Sequence, residues 1–537
     1  MEYSGWTKEQ LIARLQRLES SAAANNRPPD ADAIENAAES AKQTKKSSRF
    51  ALEPTKGKKD KSPRAFDFSA HSARHVAFKV AYLGWDYHGL AAQDGSGSNA
   101  SVPTIEQALF SALHTARLIP AASGVCCAWS RCGRTDKGVS SFGQVVSFVI
   151  RSNLPKGAAG TCEWPSESSA SSATKRKYDD DDNTTNDAKN SPVVSAKNDA
   201  IDIDFTPIPA DFQEIPYVSR LNHILPSEIR VLAWSPTCDT FNARFDCSYR
   251  RYRYFLPVEG LDVFRMQEAA KLFIGDKDYR HFCKVDPSKN VKSYVRTVID
   301  ASVRHLVLRS ALDRSGVPTS SNSSVVEDET LEPLSPDQFI VFEVKGYAFL
   351  WHQVRCMTAI LQLIGRGLEP VSLISDLTDL SKHPPDTGRP IYNMASEIPL
   401  VLVECGYPEG LLDWRIDSES AVAKADNKSW FPSSEGFAQL ISGLWLQWRT
   451  HAIKATQIQS LLQTISVNCF PSGNVTFRDL YERYSQDIVL GSVCGEAGGY
   501  GGKSTKKYLP IMQRKRCDSI ETRTVKHNAS KKLKQKE

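Results

Sequence analysis

Three short segments of this 537-residue chain concentrate side chains that could do chemistry. The first, "SRCGRTDKGVSSFGQVVSF" at 130–148, sets Asp136 between Arg134 and Lys137, with Gly133 and Gly138 on either side. Neighbouring cations favour the ionised form of a carboxylate, so Asp136 is expected to be an anion at neutral pH. A positioned anion suits nucleophilic attack better than proton donation; the plainer reading is a surface turn with an incidental ion pair. The second segment, "RRYRYF" at 250–255, interleaves cations and rings. In a strand Tyr252 and Tyr254 point one way and Arg251 and Arg253 the other. That offers stacking faces and phosphate partners for a nucleic acid, or an exposed strand with cross-strand aromatic packing. The third is the helix pattern "FLWHQVRCMTAILQLIG" at 349–365, where Arg355 borders the apolar stripe of Leu350, Val354, Met357 and Leu361. Such a cation either meets a buried carboxylate or snorkels to solvent. His352 reads as a packed or capping histidine, since no second ligand residue has metal spacing.

Residues like these need a scaffold, and the composition can supply one. Hydrophobic residues make up 41% of the chain, with ten Trp, 22 Phe and 17 Tyr, which is ample for two or three compact units plus tails. The formal net charge of +5 is unevenly spread. Residues 503–537 hold twelve Lys/Arg against three Asp/Glu, whereas 155–214 hold six basic and twelve acidic residues. An anion-binding surface on the folded part must therefore be a local patch. The twelve Cys include no C-x-x-C pair, which indicates neither a zinc site nor a disulfide framework. The start, "MEYSGWTKEQLIARL", lacks the apolar run of a signal peptide, and no stretch approaches bilayer length. A soluble intracellular protein with reduced thiols is expected.

The elements that must position the three segments follow from periodicity. Val76, Phe78, Val80 and Tyr82 alternate as a strand, and Thr104 with Gln107 has capping-box spacing at the start of a helix with Ile105, Leu109, Ala112 and Ala116 on one face. The Asp136 loop then leads into a strand at "QVVSFVI"; a helix and strand follow in "YVSRLNHILPSEIRVLAWSP". The strand of "RRYRYF", a helix through Phe273, the strand "QFIVFEVKGYAF", the Arg355 helix and a last strand near 399–407 complete the pattern. Strand–helix–strand order repeated in this way predicts an α+β fold with helices covering a sheet.

The three segments and "PLVLVECGY" occur in an order that resembles the TruA family of tRNA pseudouridine synthases, most closely its eukaryotic branch acting at positions 38 and 39 of the tRNA anticodon arm. The resemblance covers about 75–410 outside two polar insertions. It implies two RRM-like halves forming a central, mostly antiparallel sheet with helices on one face and an active-site cleft between the halves. It also implies uridine isomerisation on a flipped-out nucleotide without metal or cofactor, with tRNA as partner, no membrane association and a homodimer. Residue by residue, Asp136 matches the nucleophile and Arg134 the residue that holds the extruded nucleotide. Tyr252 matches the tyrosine that stacks on the target base, with Tyr254 beneath it, and Arg355 the basic residue that pairs with Asp136. Arg131, Lys137, Arg244, Arg250 and Arg251 are candidate phosphate contacts. A multisite synthase of the same family, or a tRNA-binding or folding protein without catalysis, are the alternatives.

The expected organisation is an amphipathic helix and disordered linker over 1–74, and the first catalytic half over 75–154. A low-complexity acidic insertion at 155–206 precedes the second half at 207–420, which has a polar insertion near 310–335. A helical appendage at 421–500 and a basic tail at 501–537 follow. Basic clusters at 175–177, 514–516 and 531–536 are solvated charge runs, RNA contacts or nuclear signals; residence in nucleus and cytoplasm is expected.

Overall fold

Val76, Phe78, Val80 and Tyr82 form the inner face of the first strand, β1 (Ser72–Tyr82), in the computed structural model of the chain. The structure describes residues 66–92, 103–165, 209–306, 339–420, 435–469 and 508–534, apart from 210–211, 259, 288–290, 385–386 and 418. All of them fall in one compact unit, Phe66–Glu537. The expected helix near 7–20, the linker after it, most of the acidic insertion and the insertion near 310–335 lie outside the described residues.

In chain order, β1 is followed by α1 (Ile105–Thr115), β2 (Ser130–Arg131), β3 (Ser140–Ser152), α2 (Tyr217–Asn222) and β4 (Ile229–Pro236). Then come β5 (Tyr249–Pro257), α3 (Val263–Lys271), β6 (Gly275–Asp278), β7 (Val295–Leu306), β8 (Phe339–Gly346), α4 (Gln353–Gly365) and α5 (Leu373–Thr378). The chain continues through β9 (Thr387–Pro390), β10 (Leu400–Gly406), β11 (Arg415–Ile416), β12 (Glu419–Ser420), α6 (Glu435–Cys469), β13 (Arg516–Asp518) and α7 (Ile520–Lys534). Thr104 caps α1 through the capping box its spacing predicted, its hydroxyl accepting from the Gln107 amide.

Eleven of these strands make one sheet, in the order β12-β11-β4-β1-β3-β10-β5-β8-β7-β6 with β2 on β3. Neighbours are antiparallel except β3 and β10, which run parallel over Val401–Ser140 and Leu402–Ser141. The mixed α+β class expected from sequence is what forms. On the β1 side, strands and α1 and α2 enclose a core around Phe78, Phe148, Tyr217 and Trp234. On the β5 side, a larger core joins Tyr254, Phe342 and Phe282 to α3, α4 and α5. A small third cluster, including Ala77, Val145, Cys132, Cys247, Leu402 and Cys405, lies where β1, β3 and β10 meet. The β3–β10 pair is thus a seam between two separately packed parts.

Two boundaries differ from expectation. Residues 155–165 belong to the fold, because the Cys162 amide donates to the Ala73 carbonyl at the edge of β1 (2.8 Å). The "basic tail" is also built in from Tyr508: Ile511 is fully buried in the β5-side core, and β13 pairs with β9. Glu369, itself buried, accepts the Ile511 amide at 2.7 Å and the Tyr508 hydroxyl. The basic composition of that stretch masks the few apolar residues that dock it.

Candidate active site

The loop that carries Asp136 is fastened on both sides before it reaches the carboxylate. The Cys132 amide donates to the Val145 carbonyl (2.8 Å), and the buried Gln144 side chain donates to the Gly133 carbonyl (2.8 Å). The hydroxyls of Tyr82, on β1, and Thr135 share a buried hydrogen bond of 2.7 Å. The Leu90 amide donates to the Thr135 carbonyl and the Gly138 amide to the Tyr87 carbonyl, each at 3.2 Å. The Val139 amide then closes a turn on the Asp136 carbonyl (3.1 Å). Gly138 takes φ +79°, a left-handed backbone that side chains disfavour, and a Cβ there would stand 2.6 Å from Cγ of Glu397. Both the turn and the neighbour require glycine.

On this pinned loop the Asp136 side chain is 33% exposed. The indole Nε1 of Trp351 donates to its Oδ1 at 3.1 Å, and Nε2 of His352 lies 3.3 Å from Oδ2. Both donors come from the turn into α4. His352 occupies the N-cap position with φ +62° and makes no side-chain cap bond. Burial, reinforced by the charges of Arg355, Lys284 and Arg389, holds its imidazole down at about 4. The ring is therefore neutral at physiological pH, and its 3.3 Å approach to Asp136 is the contact of a neutral imidazole, not an ion pair. Lys284 stacks its ammonium 4.9 Å from the Trp351 ring centre on the side of the indole plane. Arg355 donates Nε to the Ala395 carbonyl and Nη2 to Glu397, both at 2.8 Å. The resemblance made Arg355 the partner of Asp136; the ion pair it forms here is with Glu397, the same residue that covers Gly138.

Tyr252 lies on the far side of the seam from the strand that follows the Asp136 loop. The register sets Tyr82 opposite Ser141, Ser141 opposite Leu402 and Leu402 opposite Tyr252. The Tyr252 ring stands edge-on to Phe349 with centroids 5.2 Å apart, and burial pushes its phenol well above the ordinary value. Tyr254, one full pleat on, is buried in the core and donates its hydroxyl to the Ser396 carbonyl at 2.9 Å. Ser396 precedes Glu397, so the same strand also anchors the Arg355–Glu397 pair.

The expected phosphate contacts divide. Arg134 and Lys137 are exposed on the Asp136 loop. Arg131 instead grips Glu106, its Nη1 2.7 Å from both carboxylate oxygens, and Glu106 is buried in the first turn of α1 with the Trp129 indole and the Ala92 amide on it. Arg250 fastens three backbone carbonyls, of Tyr347, Cys132 and Arg244, at 2.7, 3.1 and 2.9 Å. Arg251 lies between Glu343 and Glu404, and Arg253 pairs with Glu343. Arg131, Arg250 and Arg251 are thus each engaged by bonds within the fold. Arg244 is half-buried with its guanidinium over the Phe245 ring. Sequence reasoning missed Trp351, Glu397 and the orientation of His352. The one available signal was the pair of polar-edged rings immediately before the Arg355 helix; "ASEIP" around Glu397 offers none.

A carboxylate bonded by an indole N–H and approached by an imidazole, on a loop with exposed cations, suits an enzyme that works on a nucleotide. The comparisons give its family. Residues 269–408 match a family model described as tRNA pseudouridine synthase. The "tRNA pseudouridine(38/39) synthase" of Bos taurus is 34% identical over 88% of this chain and 80% of its own length. The protein of that name from Saccharomyces cerevisiae is 31% identical over 99% of this chain and 93% of its own. The "tRNA pseudouridine synthase A" of Methanosarcina mazei is 26% identical over 66% of this chain and 92% of its own. The chain belongs to the TruA family of tRNA pseudouridine synthases.

Proposed function

We propose that this chain is an isomerase that converts uridine to pseudouridine at positions 38 and 39 of tRNA, with Asp136 as its nucleophile. The names of the Bos taurus and Saccharomyces cerevisiae relatives support the reaction and the positions. The observation that carries the assignment of Asp136 is its accessible carboxylate on a pinned loop, with the Trp351 indole bonded to one oxygen and His352 Nε2 3.3 Å from the other. In the reaction the N1–C1′ bond of uridine breaks, the base turns, and C5 bonds to C1′. C5 loses its proton and N1 gains one, so substrate and product are isomers. Asp136 attacks C1′ or assists departure of the base. Tyr252 offers its ring to the extruded base, Arg134 holds the extruded nucleotide, and Lys137 offers a cation to the backbone. No step calls for a metal or an organic cofactor.

The test is a pseudouridine map of tRNA from cells with and without the protein, joined to turnover by purified wild-type and Asp136→Asn chains. Loss at 38 and 39, with an inactive Asn variant that still binds tRNA within about threefold, is expected because Asn keeps the shape and drops the charge. Loss confined to other positions supports the multisite alternative. Turnover by the Asn variant removes Asp136 from the role, and an inactive wild-type chain that binds tRNA supports the folding-protein alternative.

Finer features follow the same reading. β5-α3-β7-β8-α4-β10 is a βαββαβ unit with sheet order β10-β5-β8-β7, and β1-α1-β3-α2-β4 has order β4-β1-β3. Both orders support two RRM-like halves with helices on one face and the cleft between them. The substrate region is the anticodon stem-loop, and the functional particle is a homodimer, favoured by exposed Trp445, Leu446 and Trp448 on α6; light scattering of the purified chain decides it. Residence in nucleus and cytoplasm rests on the basic clusters, and imaging of the tagged chain checks it.

A further inference from the structure

The turn "FLWHQ" before α4 is locally costly and is held by tertiary contacts: Leu350 is buried in the core, Phe349 meets Tyr252, and the Trp351 carbonyl accepts the Lys284 amide at 3.1 Å. His352 sits at φ +62°, a left-handed conformation uncommon for any residue but glycine. As N-cap it makes no cap bond, where Ser, Thr or Asp would satisfy an amide. Its Nδ1 is buried without a hydrogen-bond partner, a state native proteins tolerate chiefly where a function holds it. The Gln353 side chain locks the turn by accepting the Leu350 amide at 2.8 Å, while the Gln353 amide donates to the Leu350 carbonyl at 3.0 Å. What this strained, locked turn delivers is two ring N–H groups to one carboxylate.

We propose that Trp351 and His352 are positioning residues for Asp136, one N–H on each carboxylate oxygen, that fix its plane for attack. The proposal rests on Asp136 being the nucleophile. A carboxylate has about four lone-pair sites, and these two rings address one oxygen each. Nδ1 without a partner assigns the proton of the ring to Nε2, because two lone pairs facing across 3.3 Å would repel. Charged groups near the pair include Arg134 and Lys137 beside Asp136 in the loop, Lys284 over the Trp351 ring with Asp286 in the same hollow, Arg355 and Arg389 acting on His352, and Glu397 on Arg355. Three of the cations, with burial, keep the imidazole neutral. A neutral donor orients the anion without cancelling it, which an imidazolium would do.

The experiment uses the full chain and a tRNA carrying uridine at position 38 or 39, with single-turnover rates measured against pH and tRNA affinity measured separately. His352→Gln keeps an N–H near the place of Nε2, whereas His352→Met is similar in length, bears the same backbone strain and has none. Trp351→Phe keeps a ring for Lys284 and drops the indole N–H. The Met and Phe variants are expected to lose about tenfold or more in rate near neutral pH, with the Gln variant within about threefold of wild type. Their acid limb should move to higher pH, since lost donors favour the protonated carboxylate, while tRNA affinity stays within about twofold. Equal rates for Gln and Met, or an acid limb that stays in place in both Met and Phe, overturn the proposal. An active Asp136→Asn chain, run alongside, instead overturns the nucleophile reading on which it rests.

Discussion

Arg355 and Glu397 form an ion pair of 2.8 Å whose acidic partner also fills the space above Gly138, two residues past Asp136. The pair joins α4 to the Asp136 loop through a glycine that has neither the backbone angle nor the room for a side chain. Gly138→Ala should therefore destabilise the protein by about 1–3 kcal/mol and reduce turnover further than the lost stability explains. Thermal melting together with turnover measured well below the melting temperature checks this. An Ala variant that melts with wild type would show that Glu397 yields without consequence.

Tyr252 presents its ring edge-on to Phe349, and none of its described hydrogen bonds involves the hydroxyl. Tyr252→Phe should keep most activity, whereas Tyr252→Ala should lose about tenfold or more, since stacking on a base is worth about 1–3 kcal/mol. Equal losses in the two variants would assign the work to the phenol instead.

These residues were not equally legible in the sequence. Asp136, Tyr252 and the strand–helix order could be read because period-2 and helical patterns are local, and because a carboxylate among cations on a glycine-flanked loop is conspicuous. Partners were not legible. Arg355 and Glu397 are separated by 42 residues, and Glu397 lies in an irregular segment without periodicity. Arg131 looked like a surface cation because its partner, Glu106, has the sequence signature of an ordinary first-turn carboxylate. Only the tertiary fold buries Glu106 and turns Arg131 inward. The αL turn at His352 was invisible for the same reason: tertiary contacts, not local preference, hold it.

The division among the arginines and lysines is open to a direct test. Arg250→Ala strands three carbonyl acceptors around the Cys132 loop and should cost about 2–4 kcal/mol of stability. Lys137→Gln removes an exposed cation and should leave melting unchanged while lowering the salt slope of tRNA binding by about one. If Lys137→Gln leaves the slope intact, Lys137 is outside the RNA footprint.

Stability should fall on mild acidification. Burial holds His281 and His352 each at about 4, below the free-histidine value near 6.5. Between those values the unfolded chain binds protons that the native state excludes, so stability decreases as pH falls from about 6.5 toward 4. Above that window the contribution is fully present. Each ring contributes up to about 3 kcal/mol to the change. Melting followed from neutral pH down should show the decline, and His352→Gln should make it shallower; a melting temperature flat across the window would mean that both rings accept protons in place.

The C-terminal segment gives the strongest test of how the second half is completed. Residues 508–534 are rich in Lys and Arg, and a charged terminus is ordinarily dispensable. Here Ile511 is wholly buried, the Ile391 amide donates to the Lys515 carbonyl at 2.9 Å, and Arg516 pairs with Pro390 across β13 and β9. Glu369 draws two hydrogen bonds from this segment in a site that is almost closed to water. Ending the chain before Tyr508 would expose apolar surface around Ile511 and strand the Glu369 carboxylate, two losses that together should cost about 3–6 kcal/mol. That is a large share of the stability typical of a domain, so the truncated chain should be poorly soluble or melt far below wild type. Ending it after Lys534 should change nothing. Glu369→Gln in the full chain separates the terms, since it keeps the shape and the acceptor oxygen while removing the charge. It should lose clearly less than truncation does, because the apolar docking of Ile511 survives.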